Sequence, residues 1–381
     1  MDRTLERELI RATLRALDAG PAHGDAPDTR VPVGIYLDED RFTREREAWH
    51  ETAPNLLAHA SELPSPGDFV TRDLLGKPVI LVRGDDGRVR ALLNVCRHRG
   101  ATVELREQGR CTRFVCPYHA WTYHRDGALA GVPLPEGFPS LDVASTRLAE
   151  LPCEEVAGLI WVAPRPGGSA ELDPHLRALL SEVEGLGPDE PTLFARSSQV
   201  WRANWKLLVE GGLESYHFAV AHRNTVGPLF VGTGSTYARF GDHFRLVLPR
   251  RSMKILAGRP EEEWRIVEHA NVLYILRPNV SILVQDGHYV LITMNPVSVD
   301  ETRVDMATIG RPTDGGKAAA FLQANHDFTV RTLEEDFVLG EQIQRGLASG
   351  ANTHLRFARF ESALRDLHDG LDAALAAGGA G

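Results

Sequence analysis

Cys96-Arg97-His98 and Cys116-Pro117-Tyr118-His119 constrain this chain more than any other residues. Each pair offers one thiolate and one imidazole, and residues 99–115 separate the pairs. Such a set suits a [2Fe–2S] cluster in which two cysteines hold one iron and two histidines hold the other. Neutral imidazoles remove negative charge and raise the potential above that of an all-cysteine cluster. Gly100 lets the backbone turn tightly beside a cofactor, and Pro117 stiffens the second loop. Structural zinc is the competing reading, since it also takes Cys2His2 sets. Zinc sites usually place a Cys pair before a His pair, and the mixed pairs here disfavour that.

A second constellation lies in the stretch from Asn204 to His222, where His217 and His222 sit five residues apart. With a distant carboxylate they would complete a 2-His-1-carboxylate facial triad, which holds non-haem Fe(II) and leaves positions open for O2 and substrate. The best carboxylate is Asp336, within Thr332-Leu333-Glu334-Glu335-Asp336-Phe337. Taken alone, each signal has a plainer reading. A His pair is more often a surface or core pair, and an acidic triplet is usually a solvated helix face.

In this order, the two constellations resemble the α subunit of the Rieske non-haem iron oxygenases, the aromatic-ring-hydroxylating dioxygenases. The likeness runs from about Pro64 to the C-terminus. It includes Pro66-Gly67-Asp68-Phe69, Val95 to Gly100, Cys116 to Gly127, Gly158 to Val162, Asn204 to His222, Asp336 and Glu341 to Gln344. It implies that Cys96, His98, Cys116 and His119 hold a Rieske [2Fe–2S] cluster, and that His217, His222 and Asp336 hold a mononuclear non-haem Fe(II). Glu214, three residues before His217, takes the place of the family's bridging carboxylate, often an aspartate. A Glu there is similar to members that act on quaternary ammonium compounds. Where the family often has Asn after the position of Glu210, this chain has Gly211-Gly212.

The resemblance further implies a homotrimer, in which Glu214 would link a cluster histidine (His98 or His119) of one subunit to His217 or His222 of its neighbour. The implied activity is that of a terminal oxygenase component. It would use O2 and electrons from a separate NAD(P)H-dependent reductase, with or without a ferredoxin. Its substrate would be a small aromatic or quaternary-ammonium-like molecule, hydroxylated or oxidatively demethylated. No GxGxxG motif follows a strand, in keeping with a separate reductase. The alternative is a Rieske electron-transfer or binding protein without oxygenase chemistry. Quaternary-amine recognition would need an aromatic cage, with Tyr216, Phe218, Phe230, Tyr237 and Tyr274 as candidates. The pocket is expected from Phe218 to Phe230 and from the strands after Val272, by analogy with the family fold.

The expected fold class is α+β: an all-β Rieske domain plus a helix-grip (START-like) catalytic domain with an antiparallel sheet. Residues 1–60 read as an N-terminal helical segment packing on the catalytic domain, with Leu5, Leu9, Ile10, Leu14 and Leu17 at helical spacing and a stop at Gly20-Pro21. A second helix is expected from Asp40 to His50. Residues 61–165 read as the Rieske domain, with a strand at Val79–Val82, a turn at Asp85-Asp86-Gly87 and a break at Pro164–Gly168. Residues 166–381 read as the catalytic domain: a helix from Asp173 to Leu186, strands at Val272–Leu276, Val280–Gln285 and Tyr289–Asn295, and a long helix from about Gly316 to Ala376. The tail from Ala377 to Gly381 is expected to be disordered.

Composition narrows the partners. The net charge of −10 argues against nucleic acid, and no apolar run reaches membrane-spanning length. The N-terminus shows no apolar signal region, so a cytoplasmic location is expected. Of four cysteines, Cys111 and Cys153 are expected to be small buried residues in strands. The cluster loops lack a second cysteine pair, with Tyr118 at the relevant position of the second loop. A potential near about −150 mV, the low end of the Rieske range, is therefore expected.

Overall fold

The computed structural model describes residues 1–20, 28–232, 234–312 and 316–378. The chain divides into two compact units: Met1–His50 with Asp173–Gly381, and Glu51–Leu172. The second unit is thus inserted into the sequence of the first.

The inserted unit is built from short antiparallel strands. One sheet runs in the order Glu150–Leu151, Val89–Leu93, Lys77–Arg83, Asp68–Leu74 and Gln108–Arg110. A second joins Cys153–Val156, Leu159–Val162 and Asn55–His59. A third joins Phe114–Val115, Thr122–Tyr123 and Leu129–Gly131. The expected hairpin is present: Gly84 N–H donates to Arg88 C=O at 2.8 Å, and Asp86 receives the N–H of Arg88 at 3.1 Å. Asn55–His59 corrects the reading of residues 1–60 as helical. Burial of all but Leu57 and pairing with Leu159–Val162 make it a strand of the inserted unit. Its apolar residues Leu56 and Ala58 give a strand enough to bury without helical periodicity. The unit accordingly starts at Glu51 rather than 61 and ends at Leu172 rather than 165.

The larger unit is organised by a seven-stranded antiparallel sheet. Its order is Thr192–Trp201, Glu301–Gly310, His288–Ser298, Val280–Gln285, Ala270–Leu276, His243–Pro249 and Thr236–Phe240. Glu301–Gly310 alternates over its first seven residues, burying Thr302, Val304 and Met306 and leaving Arg303 and Asp305 half-buried. His243–Pro249 and Ala270–Leu276 are buried at every position, because both faces are covered. On one face, Leu273 and Ile275 join the main core with Leu208, Val209 and Phe337. On the other, Tyr274 and Arg245 both bond Glu182 of the helix Pro174–Leu186.

Two helices carry the chemistry. Trp205–Gly212 is capped by the buried Asn204, whose side chain accepts from Lys206 N–H at 3.1 Å and donates to Val299 C=O at 2.7 Å. Gly316–Ala348 packs against it, with Gly340 facing Leu208. A Cβ there would lie 2.8 Å from Leu208 Cδ2, so the glycine sets how near the helices come. The expectation of one helix from Gly316 to Ala376 is corrected. The helix stops at Ala348, where the Ser349 hydroxyl bonds back to Gly346 C=O. His354–Phe357 then pairs with Thr29–Pro32, and a separate helix spans Ser362–Gly378. This long-range pairing overrides the local helical pattern.

The N-terminal helix spans Arg3–Ala19, capped by Asp2 and ending at Gly20. Pro21 lies outside the described residues, as do Gly379, Ala380 and Gly381 of the tail; Ala377 and Gly378 are helical. The second helix begins at Glu39 and continues as a wider turn through Arg46–His50. It brings Glu45 to the buried ammonium of Lys206, and both side chains are 0% exposed. Among the described residues, no helix is long and apolar enough to cross a membrane.

Candidate iron sites

In the inserted unit, two loops close in the same way. Cys96 N–H donates to Ala101 C=O at 2.8 Å, and Gly100 N–H donates back to Cys96 C=O at 2.9 Å. Cys116 N–H donates to Trp121 C=O at 2.9 Å, and Ala120 N–H donates to Cys116 C=O at 3.0 Å. The fourth residue after each cysteine takes a left-handed conformation: Gly100 at φ 77° and Ala120 at φ 55°. Glycine meets this without cost, whereas alanine is held there at roughly 1–2 kcal/mol. Such strain persists where the surroundings over-determine it.

The loops bring all four expected ligands together. Cys96 and Cys116 are 4% and 2% exposed and not disulfide-bonded. The rings of His98 and His119 meet at 4.7 Å between centroids, and Trp121 stacks on His98 at 4.9 Å. Burial raises the Cys116 thiol, the nearby Cys96 adds to that, and the backbone N–H groups of Tyr118 and His119 pull it back. Those donors favour a thiolate once a metal is bound. The Tyr123 hydroxyl lies 3.3 Å from Cys96 Sγ and accepts from Arg97 N–H at 2.9 Å. Two thiols and two imidazoles converging from two loops fit a Rieske-type cluster. Cys111 and Cys153 stand apart and are only half-buried, and Cys111 lies just past its strand. Burial pushes both thiols up to about 11, so neither is a reactive thiolate at neutral pH.

In the larger unit, His217 sits in a short 3-10 turn, Tyr216–Ala219, and His222 follows in the next turn. Asp336 comes from the long helix, more than a hundred residues later. The three converge. His217 Nε2 and His222 Nε2 are 3.2 Å apart, and Asp336 Oδ1 is 3.3 Å and 3.0 Å from them. Bonds of roughly 2.1 Å on one octahedral face would separate the donors by about 3 Å. The triangle therefore fits a facial triad with little rearrangement. Among the described residues, this is the group of three able to share a metal.

Each imidazole is held from behind by a carboxylate. Glu214 Oε1 bonds His217 Nδ1, and its other oxygen accepts the backbone N–H of Tyr216. Glu335 Oε2 bonds His222 Nδ1 at 2.8 Å and accepts from the Thr225 hydroxyl at 2.6 Å. Both rings thus turn Nε2 toward the same point, the usual role of carboxylates behind metal-bound histidines. Burial opposes charge on His217, yet bonds to Asp336 and Glu214 overcome it and raise the imidazole to about 10. His222 is raised the same way against burial, with Asp336 the largest opposing cause. Burial would lift Asp336, but the two imidazoles hold it low. A site that attracts protons this strongly also attracts a cation.

Sequence reasoning missed Glu335, which it treated as part of a solvated acidic face. Its adjacency to Asp336 was visible, but its partner His222 is far away in the chain.

His222 and Asp336 border a cavity of about 100 Å³. Apolar groups line most of it, including Leu208, Phe218, Val226, Leu273, Met294 and Phe337. The expected source of the pocket agrees with this lining. The cage candidates divide. Phe218 and Phe230 line the cavity, their rings perpendicular at 5.9 Å. Tyr274 faces the opposite side of the sheet toward Glu182. Tyr237 bonds Ser362 and Asp366, and Tyr216 packs on Phe360. These three are not among the residues lining the cavity.

An α+β chain that pairs a two-loop cluster fold with a triad beside an antiparallel sheet defines a two-centre iron protein. Residues 53–146 match the Rieske [2Fe-2S] domain, and residues 188–377 match the ring hydroxylating alpha subunit (catalytic domain). The chain belongs to the Rieske non-haem iron oxygenase α-subunit family. The cofactors of these two domains are a Rieske [2Fe–2S] cluster and a mononuclear non-haem iron.

The carnitine monooxygenase oxygenase subunit of Escherichia coli (strain K12) is 34% identical over 202 residues, 50% of this chain and 52% of its own length. The glycine betaine monooxygenase oxygenase subunit of Chromohalobacter salexigens is 32% identical over 204 residues, 53% of this chain and 45% of its own length. The chain thus spans about half the length of the curated relatives it matches. A solved structure of the quaternary ammonium Rieske monooxygenase CntA with L-carnitine superposes with a TM-score of 0.75 at 23% identity, covering 91% of this chain and 94% of that one. Naphthalene 1,2-dioxygenase from Rhodococcus sp. gives 0.76 at 21% identity, covering 97% and 98%. These likenesses show the fold.

Proposed function

We propose that this chain is the terminal oxygenase component of a multicomponent system. It takes O2 and electrons from a separate NAD(P)H-dependent reductase, with or without a ferredoxin, and hydroxylates or oxidatively demethylates a small organic substrate. The observation that carries this is the His217–His222–Asp336 triangle opening on an apolar cavity. In this reading Cys96, His98, Cys116 and His119 hold the cluster, and His217, His222 and Asp336 hold the iron. Bound there, the two centres supply one-electron transfer and oxygen activation, respectively.

The chain's own residues supply positioning. Glu214 and Glu335 fix the tautomers and directions of His217 and His222. Leu273, Phe218 and Phe337 keep bulk water from the site and seat an apolar substrate group beside it. Glu214 also takes the place of the family's bridging carboxylate, which supports a homotrimer with the linkage running between subunits. The relatives named monooxygenases favour monooxygenation or demethylation over dihydroxylation.

The test is iron and acid-labile sulfide per chain on anaerobically purified protein, with its reduced EPR spectrum, followed by O2 uptake with candidate substrates. About three irons and two sulfides with a Rieske-type signal are expected. Two irons and two sulfides, unchanged after Fe(II) reconstitution, would make it an electron carrier instead.

A further inference from the structure

A second, larger cavity of about 470 Å³ adjoins the one beside the triad. The two share Val226, Phe230, Asn271, Leu283, Thr332 and Leu333, so they lie side by side against the same six residues, and only the inner one borders His222 and Asp336. The polar lining of the larger, outer one differs in kind. Arg250, at the end of the strand His243–Pro249, is half-buried there. Its Nη2 donates to Asn271 Oδ1 at 3.0 Å, and its guanidinium stands 5.9 Å from the Phe230 ring centre.

Among the described residues, no carboxylate lies within 4.0 Å of Arg250; Asp286 acts on it only from farther away. Arg251, Ser252, Gln285, Asn325, Thr329 and Thr332 add further polar groups, and no acidic residue lines this cavity. Because Arg250 occupies Asn271 Oδ1, the Asn271 amide N–H2 is left to donate toward a ligand. A guanidinium carries five N–H donors in a fork that matches a carboxylate. A half-buried cation with no carboxylate in contact is costly and gains from an anion brought by a ligand.

We propose that Arg250, with the Asn271 amide, is the substrate-orienting site of this chain and takes a carboxylate. The substrate is then an organic acid. Its anionic end sits in the outer cavity against Arg250, and its apolar end reaches the inner cavity at His222 and Asp336. This rests on the oxygenase reading for which end reacts, but the anion site itself rests on Arg250 alone.

The test is calorimetric binding of acid–amide pairs to anaerobic, fully loaded protein: phenylacetate with phenylacetamide, and hexanoate with hexanamide. The acids are expected to bind at least about ten-fold more tightly than their amides, as a charge-assisted pair would give. Arg250→Gln is expected to abolish that preference with iron and sulfide content unchanged, and Arg250→Lys to keep part of it. Equal binding of acids and amides, no binding by either acid, or an intact preference in Arg250→Gln would each overturn the proposal. If Arg250→Gln does not fold, the wild-type comparison still decides. Acids that bind but drive no O2 uptake would sink the oxygenase reading and spare the anion site. O2 uptake driven equally by acids and amides would do the reverse.

Discussion

In the inserted domain the thiols of Cys96 and Cys116 are buried while His119 is exposed at its loop tip. In the catalytic domain His222 is 1% exposed and lies beneath its own turn. The first ligand set is shaped by backbone: two loops closed by matching N–H to C=O bonds, with Gly100 and Ala120 at equivalent places. The second is shaped by side chains, with Glu214 and Glu335 each gripping one imidazole. Backbone loops can present a cofactor edge to a redox partner without disturbing the core. Side-chain braces suit a centre that must keep a fixed geometry while substrate and O2 come and go.

The largest expected effect breaks the two sites apart. Cys116→Ser should remove all acid-labile sulfide and the visible cluster spectrum yet leave mononuclear iron in place; Asp336→Ala should do the opposite. Loss of both centres in either variant would mean the domains do not load independently.

Bracing comes next. Glu335→Ala should weaken Fe(II) binding about 10–100-fold, measured against a chelator, with the cluster spectrum unchanged. Glu335→Gln should lose less, because its amide oxygen can still accept from His222 Nδ1. Wild-type iron affinity in the alanine variant would show that His222 needs no brace.

Protons give a smaller, graded effect. In metal-free protein His217 is raised to about 10 from its ordinary 6.5. It therefore adds stability in full below about pH 6.5 and loses it as pH climbs through 10. Iron must displace that proton, so apparent Fe(II) affinity should rise up to about ten-fold per pH unit between pH 6 and 8. A flat profile would mean that His217 is already neutral there. The subtlest change is Tyr123→Phe, which removes the hydroxyl beside Cys96 Sγ. One lost hydrogen bond of about 1 kcal/mol should lower the cluster potential by some tens of millivolts, read by redox titration.

The same contrast explains what could be read from the chain. The cluster ligands were legible because loop ligation is local: each cysteine and its histidine lie within three residues. His217 and His222 were visible as a pair, but Asp336 became meaningful only through resemblance, since a triad assembled from segments more than a hundred residues apart leaves no spacing rule. Glu335 and Arg250 gave no signal, because their importance lies in what they face after folding. Tyr274 shows the limit from the other side. Its strand is buried on both faces, so composition could not say which face the ring takes. Asn55–His59 and His354–Phe357 were misread because their partners lie 100–107 and 322–328 residues away.

The split of the catalytic domain by an insertion also sets a timetable. During synthesis Glu45 emerges well before Lys206, with the whole inserted domain in between. At about 5–20 residues per second, that interval lasts on the order of ten seconds. For that time the first fifty residues have no sheet to join and Glu45 stays hydrated, while the inserted domain gains its last strand, Leu159–Val162, before Lys206 emerges. The cluster fold is thus free to finish first, and the opening segment is recruited only afterwards, once Lys206 brings the charge that draws Glu45 inside.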